Sequence, residues 1–319
     1  MRLAFVGTSH VHTPDYLAAC RSMPQVELVG VAKPDLQTVT QISGLPAVFD
    51  RQEDLPIHDV AVVLTDAVSH DQVCAKLIAP AVFIEKPLAI SSERALTVCN
   101  VLEQKSIEAE VGFFLRHSPA FVALSDACNC PRLGAVRFAR FAFAHPGFLD
   151  GWLQRWPAHV SASRMGGGAF IDLAVHLIDA ATCLFGPVQA TSCQLDTNSS
   201  EGFGFDPSFE TQGQATFLSK EGALIHIWAG ADAPKTELKI EVFCESGEVT
   251  LDAGRVIRAY RNTVPETLFD GAMPTPAGGF RAAIEGFQGK ASRIAPAKEA
   301  VLVCGLVEEM IQTQSDLRL

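Results

Sequence analysis

Leu3-Ala4-Phe5-Val6-Gly7-Thr8-Ser9-His10-Val11-His12-Thr13-Pro14-Asp15 joins a short apolar run to a glycine and then to a helix start. An apolar run without polar alternation reads as a strand buried on both faces. Thr13-Pro14 reads as a helix cap followed by proline at the first helical position. The unit recurs downstream. Strands are predicted over 26–32, 47–49, 59–64, 81–84 and 110–114, with helices from Asp35, over 69–78 and over 91–104. Apolar strands alternating with helices imply a doubly wound parallel sheet covered on both faces.

The pattern changes after about Arg116. A long strand is expected over 135–144, with Arg137 and Arg140 among aromatic residues. Strand-like runs then follow at 188–193, 209–218, 223–229, 237–244 and 248–252, with turns at 220–222 and 245–247. Short turns between successive runs mark antiparallel hairpins. Residues 279–287 and 297–314 read as helices, and 198–207 as a surface loop. The expected class is α/β: an N-terminal Rossmann-like doubly wound parallel sheet (1–116), plus a C-terminal α+β domain with an open, largely antiparallel sheet (117–319).

The chain has 319 residues, 48% hydrophobic and 19% charged, which is enough to build one or two well-cored domains. A net charge of -11 without any basic run is a poor match to nucleic acid. No secretion signal is recognised at the N-terminus, and no apolar stretch is read as approaching a membrane span. The nine scattered cysteines read as thiols of a reducing, cytoplasmic setting. Cys128-Asn129-Cys130 lacks partners at zinc spacing and is taken as no metal site.

A second stretch carries the chemistry. In Gly166-Gly167-Gly168-Ala169-Phe170-Ile171-Asp172-Leu173-Ala174-Val175-His176-Leu177-Ile178-Asp179, a helix puts Asp172, His176 and Asp179 on one stripe of an otherwise apolar surface. Two readings stand: proton-transfer chemistry, or a core histidine satisfied by Asp172. The three glycines allow a backbone or ligand to approach closely.

In the first domain, Gly7 occupies the phosphate turn of a dinucleotide fold, but the G-x-G-x-x-G fingerprint keeps only that glycine. Ser9 stands at the second position and His12 at the third. The N–H groups of the loop, Thr8 and His10 included, remain available for phosphate. His10-x-His12 also raises a metal-dependent hydrolase of the amidohydrolase type, which the strand-rich second half does not support. Lys33, after the second strand, either pairs with a 2′-phosphate or is a solvated loop residue, and Asp35 is within reach of a ribose. Thr65 and His70 follow the fourth strand, and Glu85-Lys86-Pro87 the fifth, at the carboxyl edge where such sheets bind ligands. Lys86 there brings a positive charge able to polarise an alcohol.

Together these residues resemble the glucose-fructose oxidoreductase / inositol dehydrogenase / MocA family of NAD(P)-dependent oxidoreductases over nearly the whole chain. The resemblance is carried by the Gly7 turn, Thr65 with His70, Glu85-Lys86-Pro87, Arg116 with Pro119, and the glycine–Asp172–His176–Asp179 run about 80 residues beyond Lys86. It implies hydride transfer between a secondary alcohol of a sugar, sugar acid or cyclitol and a nicotinamide. Lys86 would polarise the hydroxyl, His176 act as general acid/base, and Asp172 orient the histidine or the substrate. Cofactor contacts are expected from Gly7, Thr8, Ser9, His10, His12, Lys33, Thr65, His70, Glu85 and Lys86. Arg116, Arg155 and Arg164 are expected at the substrate, with His159 and Trp156 nearby. No metal is expected. The cofactor is NADP or NAD, with Lys33 favouring NADP. The alternative is a non-catalytic dinucleotide-binding sensor on the same fold. The open sheet calls for a homodimer or homotetramer, and neither nucleic acid nor membrane is expected as a partner.

Overall fold

The computed structural model describes residues 1–33, 44–197, 200–205, 208–290 and 295–316. In chain order it opens with β1 (Arg2–Val6), α1 (Thr13–Ser22), β2 (Glu27–Ala32), β3 (Val48–Phe49) and β4 (Val60–Val63). Next come α2 (His70–Ala75), β5 (Ala81–Ile84), α3 (Ser92–Gln104), β6 (Glu108–Val111), α4 (Pro119–Cys128) and β7 (Val136–Ala144). They are followed by α5 (Ala162–Met165), α6 (Ala169–Phe185), β8 (Val188–Asp196), α7 (Ser200–Phe203), β9 (Gln212–Ser219), β10 (Leu224–Gly230) and β11 (Glu237–Cys244). The chain closes with β12 (Gly247–Asp252), β13 (Arg255–Tyr260), β14 (Glu266–Asp270), α8 (Pro276–Phe287) and α9 (Ala297–Asp316). The helix expected from Asp35, and Asp35 itself, lie outside the described residues.

Two compact units emerge. The first comprises Met1–Phe114, Trp152–Gly167 and Pro276–Gly305, and the second Leu115–Gly151, Gly168–Thr275 and Leu306–Leu319. The main crossing falls two residues before the boundary read from the sequence. Segments 152–167 and 276–305 return to the first unit, which local patterning does not signal.

In the first unit the strand order is β3-β2-β1-β4-β5-β6, with every pair parallel. The switch point lies between β1 and β4, where such sheets open a ligand crevice at the strands' carboxyl ends. Leu3, Phe5, Val60, Val62 and Phe83 are fully buried, as expected of strands covered on both faces. α8 lies against α1, and Phe280 stacks on Tyr16 with ring centroids 4.4 Å apart. β6 starts and ends earlier than the apolar run 110–114 suggests. Its first residues are polar, and the chain turns at Gly112, where Phe113 N–H bonds Val111 at 2.7 Å.

In the second unit the order is β14-β13-β12-β11-β7-β10-β9-β8. All pairs are antiparallel except β7–β10. The alternation is clean: Ala215, Phe217, Ile225, Ile227, Leu238, Ile240 and Val242 are buried, while their neighbours face out. α6 covers the apolar face over β10, β7, β9 and β8. β13 and β14 were not anticipated because charged residues interrupt their apolar pattern; β14 forms the sheet edge and is held to β13 partly by Arg258–Glu266 at 2.8 Å. α4 was missed too, although Ser118-Pro119 is a cap signal; the Ser118 hydroxyl accepts the Phe121 N–H. The expected loop 198–207 contains the single-turn α7, and Phe203 and Phe205 stack around Phe148.

One sequence expectation is corrected. Residues 162–185 do contain a window apolar and long enough to cross a membrane by length and composition, at mean hydropathy 1.6. Of that window, 72% is buried inside the protein, as befits the core helix of a domain.

Asp179 of α6 is wholly buried, and Arg116 answers it: Nε donates to Oδ1 at 3.0 Å and to Oδ2 at 2.8 Å. Removing one member of a buried ion pair strands the other charge. Arg116→Leu should therefore lose about 3–5 kcal/mol of stability by urea denaturation. Arg116→Met combined with Asp179→Leu should recover most of it. Equal losses in the single and double variants would show that the pair does not hold α6.

Candidate active site

Gly7 ends β1 with φ +85°, and a Cβ there would lie 2.9 Å from the Thr65 nitrogen and 3.0 Å from the Leu64 carbonyl carbon. Only glycine allows the two strand ends to close so tightly. The turn is tied down on both sides, by Gly7 N–H to Ala32 at 2.8 Å and His10 N–H to Leu64 at 3.1 Å. The sequence reading made Thr13 the cap of α1. The structure makes it the first helical residue, with His12 at the cap position; the Thr13 hydroxyl turns back to the His10 carbonyl at 2.6 Å. Ser9, at the lost second glycine, donates to Asp66 Oδ1 at 2.7 Å, and Asp66 also pairs with Arg164. Among the described residues, three buried polar atoms around this turn have no hydrogen-bond partner: Thr8 Oγ1, Thr65 Oγ1 and His10 Nε2.

Glu85 follows β5 and is fully buried. Its Oε1 accepts from the Tyr16 hydroxyl and lies 3.0 Å from His12 Nδ1. Its Oε2 accepts the Lys86 backbone N–H at 2.9 Å and lies 3.5 Å from His10 Nε2. Burial pushes this carboxyl's pKa up, but His12, Lys86 and Tyr16 outweigh that and hold it below the ordinary value. Burial, and then the proximity of His159, His12 and Lys86, push the His10 pKa well down. Lys86 itself is 1% exposed.

The remaining predicted residues of this unit vary in their engagement. His70 places Nδ1 3.0 Å from the Leu88 carbonyl and Nε2 3.2 Å from the Thr65 carbonyl; a neutral imidazole carries one N–H and donates to one of the two, which anchors the ring in the loop. Burial lowers its pKa. Lys33 is half-buried, and its N–H bonds Phe49. Arg155 is exposed.

In the second unit, α6 carries half-buried Asp172 and buried His176 one turn apart on one face. The His176 ring meets Phe143 edge-on at 6.2 Å. The close approach expected at the glycine run occurs at Gly168, where a Cβ would lie 2.7 Å from the Glu210 nitrogen. Glu210 Oε1 accepts the Gly168 N–H at 2.5 Å and the Ile171 N–H at 3.3 Å, closing the helix start. Arg116 was expected at the substrate; its guanidinium is occupied by Asp179 instead.

Thus Ser9, Asp66 and Arg164 form one chain of contacts, and His10, His12, Glu85 and the Lys86 backbone form another. Asp172 and His176 belong to the second unit, and Lys86 to the first. Two important residues were missed. Tyr16 was legible, standing four residues after His12 on the same helix face. Glu210 was not, since nothing local marks a residue 42 positions from Gly168 as its partner.

Residues 1–113 match the oxidoreductase family with an NAD-binding Rossmann fold, and residues 121–250 match the GFO/IDH/MocA C-terminal domain. Inositol 2-dehydrogenase of Rhizobium meliloti is 27% identical over 138 residues, 42% of this chain and 39% of that protein. This chain therefore aligns with less than half the length of that relative. The fold is similar to a 3-ketoreductase from Actinomadura kijaniata in complex with NADP and TDP-benzene, with TM-score 0.78 and 17% identity over 98% of both chains. It is also similar to levoglucosan dehydrogenase in complex with NADH and levoglucosan, with TM-score 0.79 and 16% identity over 99% of this chain and 97% of that one.

Glu210 gives the α6 start a pH signature. Burial, reinforced by the Asp172 charge, raises its pKa from 4.5 to about 7, against the pull of the helix N–H groups. A carboxyl with a raised folded-state pKa contributes stability that is full below 4.5 and is lost as pH rises through about 7. Glu210→Gln keeps an acceptor but cannot ionise. Urea midpoints of wild type should fall relative to the variant across that window; parallel curves would contradict the assignment.

Proposed function

The chain belongs to the GFO/IDH/MocA family of oxidoreductases, and from that membership we propose that it moves a hydride between a secondary alcohol of a sugar, sugar acid or cyclitol and NAD(P). The observation that carries this reading is a buried lysine at the carboxyl end of β5, in the same unit as a glycine turn that still fits a dinucleotide. The fit rests on the tight Gly7 turn and on the orphaned Thr8 Oγ1, Thr65 Oγ1 and His10 Nε2, three groups a polar ligand would satisfy. Gly7, Thr8, Ser9, His10, His12 and Thr65 would hold the pyrophosphate end, and Lys33 a 2′-phosphate, favouring NADP. When bound, the nicotinamide supplies the hydride acceptor.

This chain's residues manage the proton. The Lys86 ammonium donates to the substrate oxygen and stabilises alkoxide character as the C–H hydride departs. His176 takes the hydroxyl proton, and Asp172, one turn earlier, orients the imidazole or the substrate. In the reverse direction His176 returns that proton to the carbonyl oxygen. Glu85 acts through the Lys86 backbone and is a positioning residue. His70 and Arg116 are assigned to holding the loop and α6. Arg155, with its exposed guanidinium, and Arg164 at the edge of the glycine turn are kept as candidate contacts to an acidic sugar.

The outer face of the eight-stranded sheet mixes Gln194 and Gln214 with Leu218 and Leu224, which are 42% and 44% exposed. A face of this composition supports a homodimer or homotetramer, and we keep a cytoplasmic setting, with neither nucleic acid nor membrane as partner.

Lys86→Ala should keep NADPH affinity within about threefold and lower kcat on the best polyol or sugar acid by roughly 10²–10⁴, the range typical of a positioned proton-handling group. Wild-type turnover in that variant would overturn the mechanism. NADPH binding with no turnover across a broad polyol screen is the result expected of the sensor alternative. Lys33→Glu should shift cofactor preference toward NADH by about tenfold or more, equivalent to about 1.4 kcal/mol; an unchanged ratio would remove Lys33 from cofactor choice.

A further inference from the structure

The cluster around Glu85 contains more ligand chemistry than dinucleotide binding needs. His10 and His12 each offer an imidazole nitrogen and Glu85 a carboxylate oxygen, and the three ligand atoms lie within 4.8 Å of one another. Tetrahedral zinc with bonds of about 2.0–2.1 Å has ligand atoms about 3.3 Å apart. The His12 Nδ1–Glu85 Oε1 distance of 3.0 Å matches that spacing, and His10 Nε2 approaches the other carboxylate oxygen, Oε2, at 3.5 Å.

The placement of His10 also suits a cation. His10 is 1% exposed, its Nε2 makes no hydrogen bond, and that nitrogen is aimed at a carboxylate. A neutral imidazole is the ligating form, and an ionised carboxylate supplies the charge. Without an ion, the buried Glu85 relies on His12, Lys86 and Tyr16 for compensation. The Nδ1 of His10 receives the His12 backbone N–H at 3.3 Å. Ligation through Nε2 moves the proton to Nδ1 and gives up that long contact.

We propose that His10, His12 and Glu85 form a divalent-cation site of the zinc class, with two imidazoles, one carboxylate and a fourth position left open to water or an anionic ligand. The site reverses the sequence expectation that no metal binds. It stands on its three ligands alone and does not depend on the cofactor reading: a chain that never binds NAD(P) would still take the ion. The His10 and His12 rings lie with centroids 4.7 Å apart, and β5, next but one to β1 in the sheet, delivers Glu85.

The test uses the full chain, stripped with chelator and titrated with Zn²⁺ against a competing chromophoric chelator. Nine cysteines also have affinity for zinc, so the readout is the equivalent that depends on the histidine. Wild type should bind one equivalent that His12→Ala loses or binds roughly a hundredfold more weakly, since even outer partners of metal ligands cost 10–100-fold. The His12 side chain is 17% exposed, and an unchanged circular dichroism spectrum and melting temperature of the apo variant would confirm its fold. Co²⁺ loaded into wild type gives a second readout independent of any variant: visible ligand-field bands without thiolate charge-transfer absorption. Equal zinc stoichiometry and affinity in wild type and His12→Ala, no tight equivalent in wild type, or a thiolate-dominated Co²⁺ spectrum would each overturn the site.

Discussion

Glu85 is a carboxylate with no access to water, and the first unit is organised around making that tolerable. An isolated buried charge costs several kcal/mol even after relaxation, so every group near it must answer it. Tyr16 comes from α1, His10 and His12 from the glycine turn, and the Lys86 N–H from β5's own continuation. One side chain thereby ties the switch point of the sheet to the start of α1. Gly112 adds a steric limit, because a Cβ there would lie 3.0 Å from Oε2. The aromatic stack of Tyr16, Phe83 and Phe280 holds the phenol in place beneath it. The catalytic candidate Lys86 inherits its position from this arrangement, since its backbone is bonded to the same carboxylate.

The second unit solves an analogous problem differently. There a helix apolar on nearly all sides must carry two acids and a histidine. Asp179 is neutralised by Arg116, whereas Asp172 stays half-buried near the helix start. Glu210 satisfies the first N–H groups that a buried helix cannot give to water. Three glycines precede this helix, and at Gly168 the reason is steric: the Glu210 backbone occupies the space a side chain would need.

Much of this was legible in the sequence because it depends on local signals. Uninterrupted apolar runs such as Val60–Val63 and Ala81–Ile84 have one reading in a chain alternating with helices, and Gly7 marks the first turn. The glycine–Asp172–His176 run identified α6 by periodicity alone. What stayed hidden depends on partners distant in the chain. Arg116 looked like a substrate contact until Asp179 was seen to take its guanidinium. His70 looked like a ligand group until its ring was seen to sit between two loop carbonyls. The charged strands β13 and β14 at one end of the sheet lack a clear apolar alternation to announce them, and the His10–His12–Glu85 cluster needs two segments 73 residues apart to meet.

On the proposed function, the glycine-poor turn after β1 holds a dinucleotide, because Gly7 sets its shape and buried polar groups line it. Fluorescence titration with NADPH and NADH, comparing wild type with Gly7→Ala, tests that binding. Wild type should bind at least one cofactor saturably, and Gly7→Ala, where the new Cβ collides with the Thr65 backbone, should lose most of that affinity. No binding of either cofactor by wild type, or unchanged binding by a folded Gly7→Ala variant, would contradict it.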